Sequence, residues 1–127
     1  MGEKMKNIDC YFVGTGIVLG LVGMGIGIVM GITQDFTYTS VHTHFNLVGW
    51  ATLVMFGFAY RLELARNDVW AVAHYVIAAT GAVVFPIGIY LSIVRQQEAV
   101  VTVGSLLTIA SMLLFLINFL RGAQARH

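Results

Sequence analysis

The chain has 127 residues, of which 58% are hydrophobic and only 10% are charged. A soluble domain keeps roughly a quarter of its residues charged, so this composition excludes a water-soluble protein and indicates an integral membrane protein. The net charge of +1 gives no reason to expect nucleic acid as a partner. The six acidic residues all lie in tails or connections, which weighs against a pump that uses carboxylates at mid-membrane.

Four apolar segments follow one another, and each is long enough to cross roughly 30 Å of hydrocarbon as a helix. They are predicted at about residues 11–32, 41–64, 69–94 and 99–120. Because the connections between them are short, residues 1–127 are expected to form a single four-helix transmembrane domain. The fold class predicted is therefore an all-α integral membrane protein.

The basic residues predict how the chain is oriented in the membrane. Most of them lie in the tails or flank the second connection (Lys4, Lys6, Arg61, Arg66, Arg121 and Arg126), and only Arg95 lies on the opposite side. Since basic residues are retained on the inner side, both termini are expected to be cytoplasmic in a bacterial or archaeal inner membrane.

The first predicted helix is unusually rich in glycine, with seven at positions 14, 16, 20, 23, 25, 27 and 31. Small residues in a membrane helix favour close packing against another helix. A second interpretation is that a flat cofactor or a neighbouring copy of the chain lies against the exposed backbone. The sequence alone does not separate the two.

The second predicted helix opens with Ser40-Val-His-Thr-His-Phe-Asn-Leu-Val-Gly-Trp50, which holds two of the four histidines. A polar group without a partner in hydrocarbon costs several kcal/mol, so the pair points to a ligand such as a metal. His42 and His44 are two residues apart and project about 200° from each other, so they cannot share one ion on a regular helix. His74 would lie roughly 15 to 20 Å from His44 along the membrane normal.

The segment from His42 to Tyr60 resembles the tenth helix of the catalytic subunit of haem-copper oxidases, most closely the C-family of the cytochrome cbb type. The family pattern is His-x-His, then Leu-Gly-Trp, then Phe-Gly-x-x-Tyr. The corresponding residues of this chain are His42-Thr-His44, Leu47-Val-Gly-Trp50 and Phe56-Gly-Phe-Ala-Tyr60. Ala73-His-Tyr75, Gly81 and Phe85-Pro86 are similar to the eleventh helix. The specific resemblance covers only these two of the four predicted helices.

This resemblance implies that His42 and His44 are haem ligands on opposite faces of one helix. The family subunit has twelve helices in three arcs of four, so the chain is expected to be one such arc, with a homotrimer completing the ring. The histidines of the family's copper site have no counterparts here, so no copper is expected. The family histidine that matches His74 is not a haem ligand, so His74 is expected to hydrogen-bond or pack.

The function expected from these residues is electron transfer by b-type haem held between subunits by His42 and His44, with Trp50 and Phe56 as candidate porphyrin contacts or ordinary packing residues. A redox partner protein or quinol would exchange the electrons. One alternative is an enzyme in which a five-coordinate haem binds or reduces oxygen or nitric oxide. Another is an accessory membrane subunit without haem.

Overall fold

The computed structural model describes residues 5–126, so Lys4, which entered the orientation prediction, and His127 lie outside the described residues. The described chain is helical and contains no strand, which confirms the predicted all-α class. Its elements are α1 (Ile8–Thr33), α2 (Thr39–His44), a π-helical segment (Phe45–Thr52), α3 (Leu53–Arg61), α4 (Val69–Arg95) and α5 (Ala99–Ala125).

Three of these helices, α1, α4 and α5, are long and apolar enough to cross a membrane. The second predicted helix is formed differently from the other three. It is helical without interruption from Thr39 to Arg61, but it winds as α2, the π segment and α3, none of which has a spanning length by itself. These three elements are called the second helical run below.

Successive helices run antiparallel. Two of the long helices are followed by a residue in the left-handed backbone conformation. Gln34 (φ 55°) follows α1 and Gln96 (φ 53°) follows α4. Because successive helices are antiparallel, alternate connections lie at opposite ends of the bundle. The basic end carries the side chains of Lys6, Arg61, Arg66, Arg121 and Arg126, and the histidine end carries His42 and His44.

Four glycines of α1 form the contact with the second helical run. A Cβ atom added at any of them would lie 2.5 to 2.9 Å from a side chain of that run. The pairs are Gly16 with Val54, Gly20 with Trp50, Gly23 with Asn46 and Gly27 with His42. Close helix packing therefore accounts for these four glycines. No atom lies within 4 Å of the same position on Gly14, Gly25 or Gly31, and helix packing within the chain does not explain those three.

Glycine also brings α4 and α5 together. A Cβ atom on Gly104 would overlap the backbone of Phe85, and one on Gly88 would overlap the backbone of Val101. The two helices are thus in backbone contact near the histidine end, as small residues permit in membrane helices.

Asp68 joins the helices at the basic end. Its carboxylate is almost fully buried and accepts a hydrogen bond of 3.0 Å from the Trp70 backbone N–H, which caps the start of α4. The guanidinium groups of Arg121 and Arg66 lie 2.7 and 3.1 Å from the same carboxylate oxygen. The carboxylate thereby ties the α3–α4 connection to α5.

Replacing Asp68 with Asn should lower the stability of the bundle by about 2 kcal/mol, because Asn keeps the cap but leaves two half-exposed arginines without their charge partner. Thermal unfolding of the protein in detergent measures this loss. Asp9→Asn is the matched control, since Asp9 pairs with an Arg61 side chain that is 75% exposed, and such pairs contribute roughly 0 to 1 kcal/mol. Equal losses in both variants would contradict the role given to Asp68.

The same carboxylate predicts an acid-sensitive stability. Burial alone would raise the pKa of Asp68, but hydrogen bonds from Arg121 and Trp70 and the charge of Arg66 hold that pKa below its ordinary value. A carboxyl group whose pKa is lowered by folding stabilises the fold at a pH above its pKa in the unfolded chain, which is near 4. This contribution is lost as the pH falls through the lower pKa of the folded chain. The melting temperature of the wild type should therefore decrease as the pH is lowered below about 4. The decrease should be less steep in Asp68→Asn.

Candidate functional site

His42 is half-buried against α1, and its ring is held by a backbone carbonyl. Its Nδ1 atom lies 2.7 Å from the Gly23 carbonyl oxygen, which can only accept a hydrogen bond. The Asn46 amide nitrogen is also near Nδ1, at 3.3 Å, but it donates at 2.8 Å to the carbonyl of His42 itself. Nδ1 therefore carries the proton, and Nε2 keeps its lone pair.

His44 has the same arrangement with a different partner. Its Nδ1 atom donates to the carbonyl oxygen of Ser40, one turn earlier in the same helix, at 2.8 Å. The ring packs edge-on against Phe85 of α4, with centroids 4.7 Å apart. Within the part of the chain that the structure describes, the Nε2 atoms of His42 and His44 have no hydrogen-bond partner.

The two rings thus lie against different helices, α1 for His42 and α4 for His44, so the two side chains face different directions. A metal-binding histidine usually donates one ring N–H to a carbonyl or carboxylate and binds the metal through the other nitrogen. Both histidines meet this requirement. Among residues 5–126, no group of three or more His, Cys, Asp or Glu side chains is placed to hold a metal ion.

The two aromatic residues predicted to contact a porphyrin lie in different surroundings. Trp50 is 41% exposed, and its inner atoms rest on Gly20 of α1, on the side of the run where His42 lies. Phe56 is only 4% exposed and packs against Phe12 and Phe115, away from both histidines of the pair. Within one chain, Phe56 is a core residue.

A π-helical segment, Phe45–Thr52, begins immediately after His44. Such segments shift the register of side chains along a helix and are frequent at functional sites. Here the side-chain hydroxyl of Thr52 donates to the carbonyl of Leu47, five residues earlier, at 2.7 Å. The residues that follow the histidines therefore face a different direction from the one that a regular helix would give them.

A second polar cluster, which the sequence did not reveal as a unit, surrounds His74. Arg121 donates to the side-chain oxygen of Asn118 at 3.3 Å, and the Asn118 amide donates to the Tyr60 hydroxyl at 2.9 Å. Among the described residues the Tyr60 hydroxyl has one acceptor for its own proton, Nδ1 of His74 at 2.9 Å, so Tyr60 donates to His74. Hydrogen bonding and packing are the roles expected for His74 from the sequence, and the structure confirms both.

His74 ends this chain of hydrogen bonds inside an aromatic cage. Its side chain is fully buried, and the rings of Phe12, Phe56 and Phe115 lie with centroids 4.6 to 5.6 Å from its own. Because Nδ1 accepts from Tyr60, Nε2 carries the proton, and this N–H has no partner. His74 is therefore a donor at Nε2, the opposite of His42 and His44, and is not prepared to bind a metal.

Replacing Asn118 with Leu should destabilise the bundle by about 1 to 3 kcal/mol, because Arg121 loses an acceptor and the buried Tyr60 oxygen loses a donor. Thermal unfolding in detergent provides the measurement. Ser111→Ala is the control on the same helix, since the buried Ser111 hydroxyl bonds only to the Thr108 carbonyl, within the helix itself. A loss no larger than that of the control would show that the Asn118 bonds contribute nothing to stability.

Comparison with known proteins gives no relative: no protein-family model, curated protein or solved structure matches the chain.

Proposed function

We propose that this chain is a membrane haem protein in which His42 and His44 are axial ligands of b-type haem. The observation that carries the proposal is the state of the two rings. Each donates its Nδ1–H to a backbone carbonyl and keeps an unpartnered Nε2. Two imidazoles fixed in this way, two residues apart and at one end of an apolar bundle, suit iron ligation better than structural hydrogen bonding.

Electron transfer is the function that fits two histidine ligands. Haem iron accepts and releases one electron reversibly, and two axial imidazoles leave no coordination position open for a gas or another substrate. The residues of this chain would hold the iron and, through their carbonyl partners, keep both imidazoles in the binding tautomer. A redox protein or quinol would supply or remove the electron.

A haem bound in this way needs more than one copy of the chain. His42 lies against α1 and His44 against α4, and no other described histidine lies at this end of the bundle. The second ligand of each iron must then come from a neighbouring copy. A homotrimer would place His42 of one copy opposite His44 of the next and assemble the twelve-helix ring implied by the resemblance to haem-copper oxidases.

This assembly requires the second helical run to act as a fourth membrane span. The run is continuous from Thr39 to Arg61 and reaches roughly 30 Å, which is the thickness of the hydrocarbon layer. Because arginines cluster at the basic end, this end would face the cytoplasm under the positive-inside rule, and the haem would lie towards the outer surface.

Purified wild-type protein should show sharp α and β haem bands on reduction, and carbon monoxide should not change them. His42→Ala and His44→Ala should each abolish this six-coordinate spectrum, because every iron loses one of its two ligands. Absorption spectroscopy with a pyridine haemochrome assay measures both the coordination and the haem content per chain.

Thr43→Ala is the control for this experiment, since Thr43 lies between the histidines and bonds only to a carbonyl of its own helix. The control should retain the wild-type spectrum. A full low-spin spectrum in His44→Ala, or the absence of a Soret band from the wild-type protein, would refute the proposed function.

Native mass spectrometry in mild detergent should find trimers with up to three haems. Because each haem would join two copies, His42→Ala and His44→Ala should shift the population towards monomers. Thr43→Ala should remain trimeric. Only monomers or dimers in the wild-type sample would contradict the trimer.

A further inference from the structure

Gly27 provides the space in which the His42 imidazole rests on α1. A Cβ atom on Gly27 would lie 2.7 Å from Cε1 and 2.9 Å from Nδ1 of His42, which is closer than real carbon contacts allow. The ring reaches the Gly23 carbonyl, one turn earlier on the same face of α1, only because position 27 has no side chain.

The two histidines differ in what holds them. His44 donates to Ser40, which belongs to its own helix, so that hydrogen bond persists wherever α2 is helical. His42 donates to Gly23, which belongs to α1, so its hydrogen bond exists only while α1 is seated against the second helical run. The tautomer of His42 therefore depends on a contact between two helices, whereas the tautomer of His44 depends on one helix alone.

We propose that Gly27 is a positioning residue that fixes His42 as a ligand, so that the contact between the His42 ring and α1 decides whether a bound haem would have one or two protein ligands. This inference rests on the proposed function of His42 and His44. With the ring in contact with α1, His42 would present Nε2 as a haem ligand. With the ring displaced from α1, His42 would lose its fixed tautomer, and the histidine of the neighbouring copy would be the one protein ligand left to hold the haem.

A purely structural role for Gly27 predicts a different result. If the glycine served only helix packing, a methyl group at position 27 would lower stability without changing how the haem spectrum responds to carbon monoxide. The atoms that the methyl group would meet belong to the end of a flexible side chain rather than to the backbone. The strain is therefore relieved most cheaply by moving the imidazole, and the helices can stay together.

The test compares Gly27→Ala with Gly25→Ala. Gly25 is on the same helix and has no atom within 4 Å of its Cβ position, so its alanine variant controls for a methyl group added to α1. The first readout needs no haem: in full-length protein prepared without haem and labelled with ¹⁵N-histidine, ¹⁵N chemical shifts report which ring nitrogen carries the proton. His42→Gln identifies the signals of His42.

The wild type and Gly25→Ala should show His42 protonated at Nδ1, and Gly27→Ala should lose this single tautomer. The second readout is the reduced haem spectrum with carbon monoxide. The apparent affinity of the reduced haem for carbon monoxide should rise about tenfold in Gly27→Ala, which corresponds to the loss of one hydrogen bond, and should not change in Gly25→Ala.

The outcomes separate this inference from the proposed function. An unchanged His42 tautomer in Gly27→Ala would overturn the inference whether or not the protein binds haem. An altered tautomer in a protein without any haem spectrum would uphold the positioning of His42 and refute the proposed function. An altered tautomer with a spectrum still insensitive to carbon monoxide would overturn the control of coordination by α1.

Discussion

The close approach of α1 to the second helical run is the contact on which the candidate site depends. At four glycines of α1, side chains of the run occupy the space that a Cβ atom would take, and His42 is one of these side chains. The approach brings the ring of His42 within hydrogen-bonding distance of a carbonyl that already belongs to the backbone of α1. A polar ring buried in a membrane needs a hydrogen-bond partner. The one contact therefore packs two helices together and also fixes the tautomer of the His42 imidazole.

The two ends of the bundle use histidine in opposite ways. At the basic end, a one-directional series of hydrogen bonds starts at Arg121, which can only donate, and leaves His74 protonated at Nε2 inside a cage of aromatic rings. At the histidine end, carbonyl oxygens accept from Nδ1 and leave Nε2 of His42 and His44 with a lone pair. Histidine is thus a structural hydrogen-bond donor at one end and a candidate ligand at the other, because the neighbours of each ring determine which nitrogen carries the proton.

Much of the fold could be predicted from the sequence, since hydropathy marks apolar segments directly. The all-α class and the approximate bounds of the helices were found in this way, although α5 runs on to Ala125 and the second helical run contains a π segment. The i,i+2 spacing of His42 and His44 was enough to show that they face different directions. The His74 cluster was not found as a unit, because Tyr60, His74 and Asn118 come from three helices and their contact depends on how those helices pack.

The sequence by itself determined that the chain belongs in a membrane, which residues are helical, and that the paired histidines cannot share an ion. These properties follow from composition and from the periodicity of a single helix. Only the tertiary structure decided which glycines are packing contacts, that Phe56 belongs to the core around His74, and which ring nitrogens carry protons. Each of these depends on a distance between atoms of different helices, and no local pattern in the chain encodes such a distance.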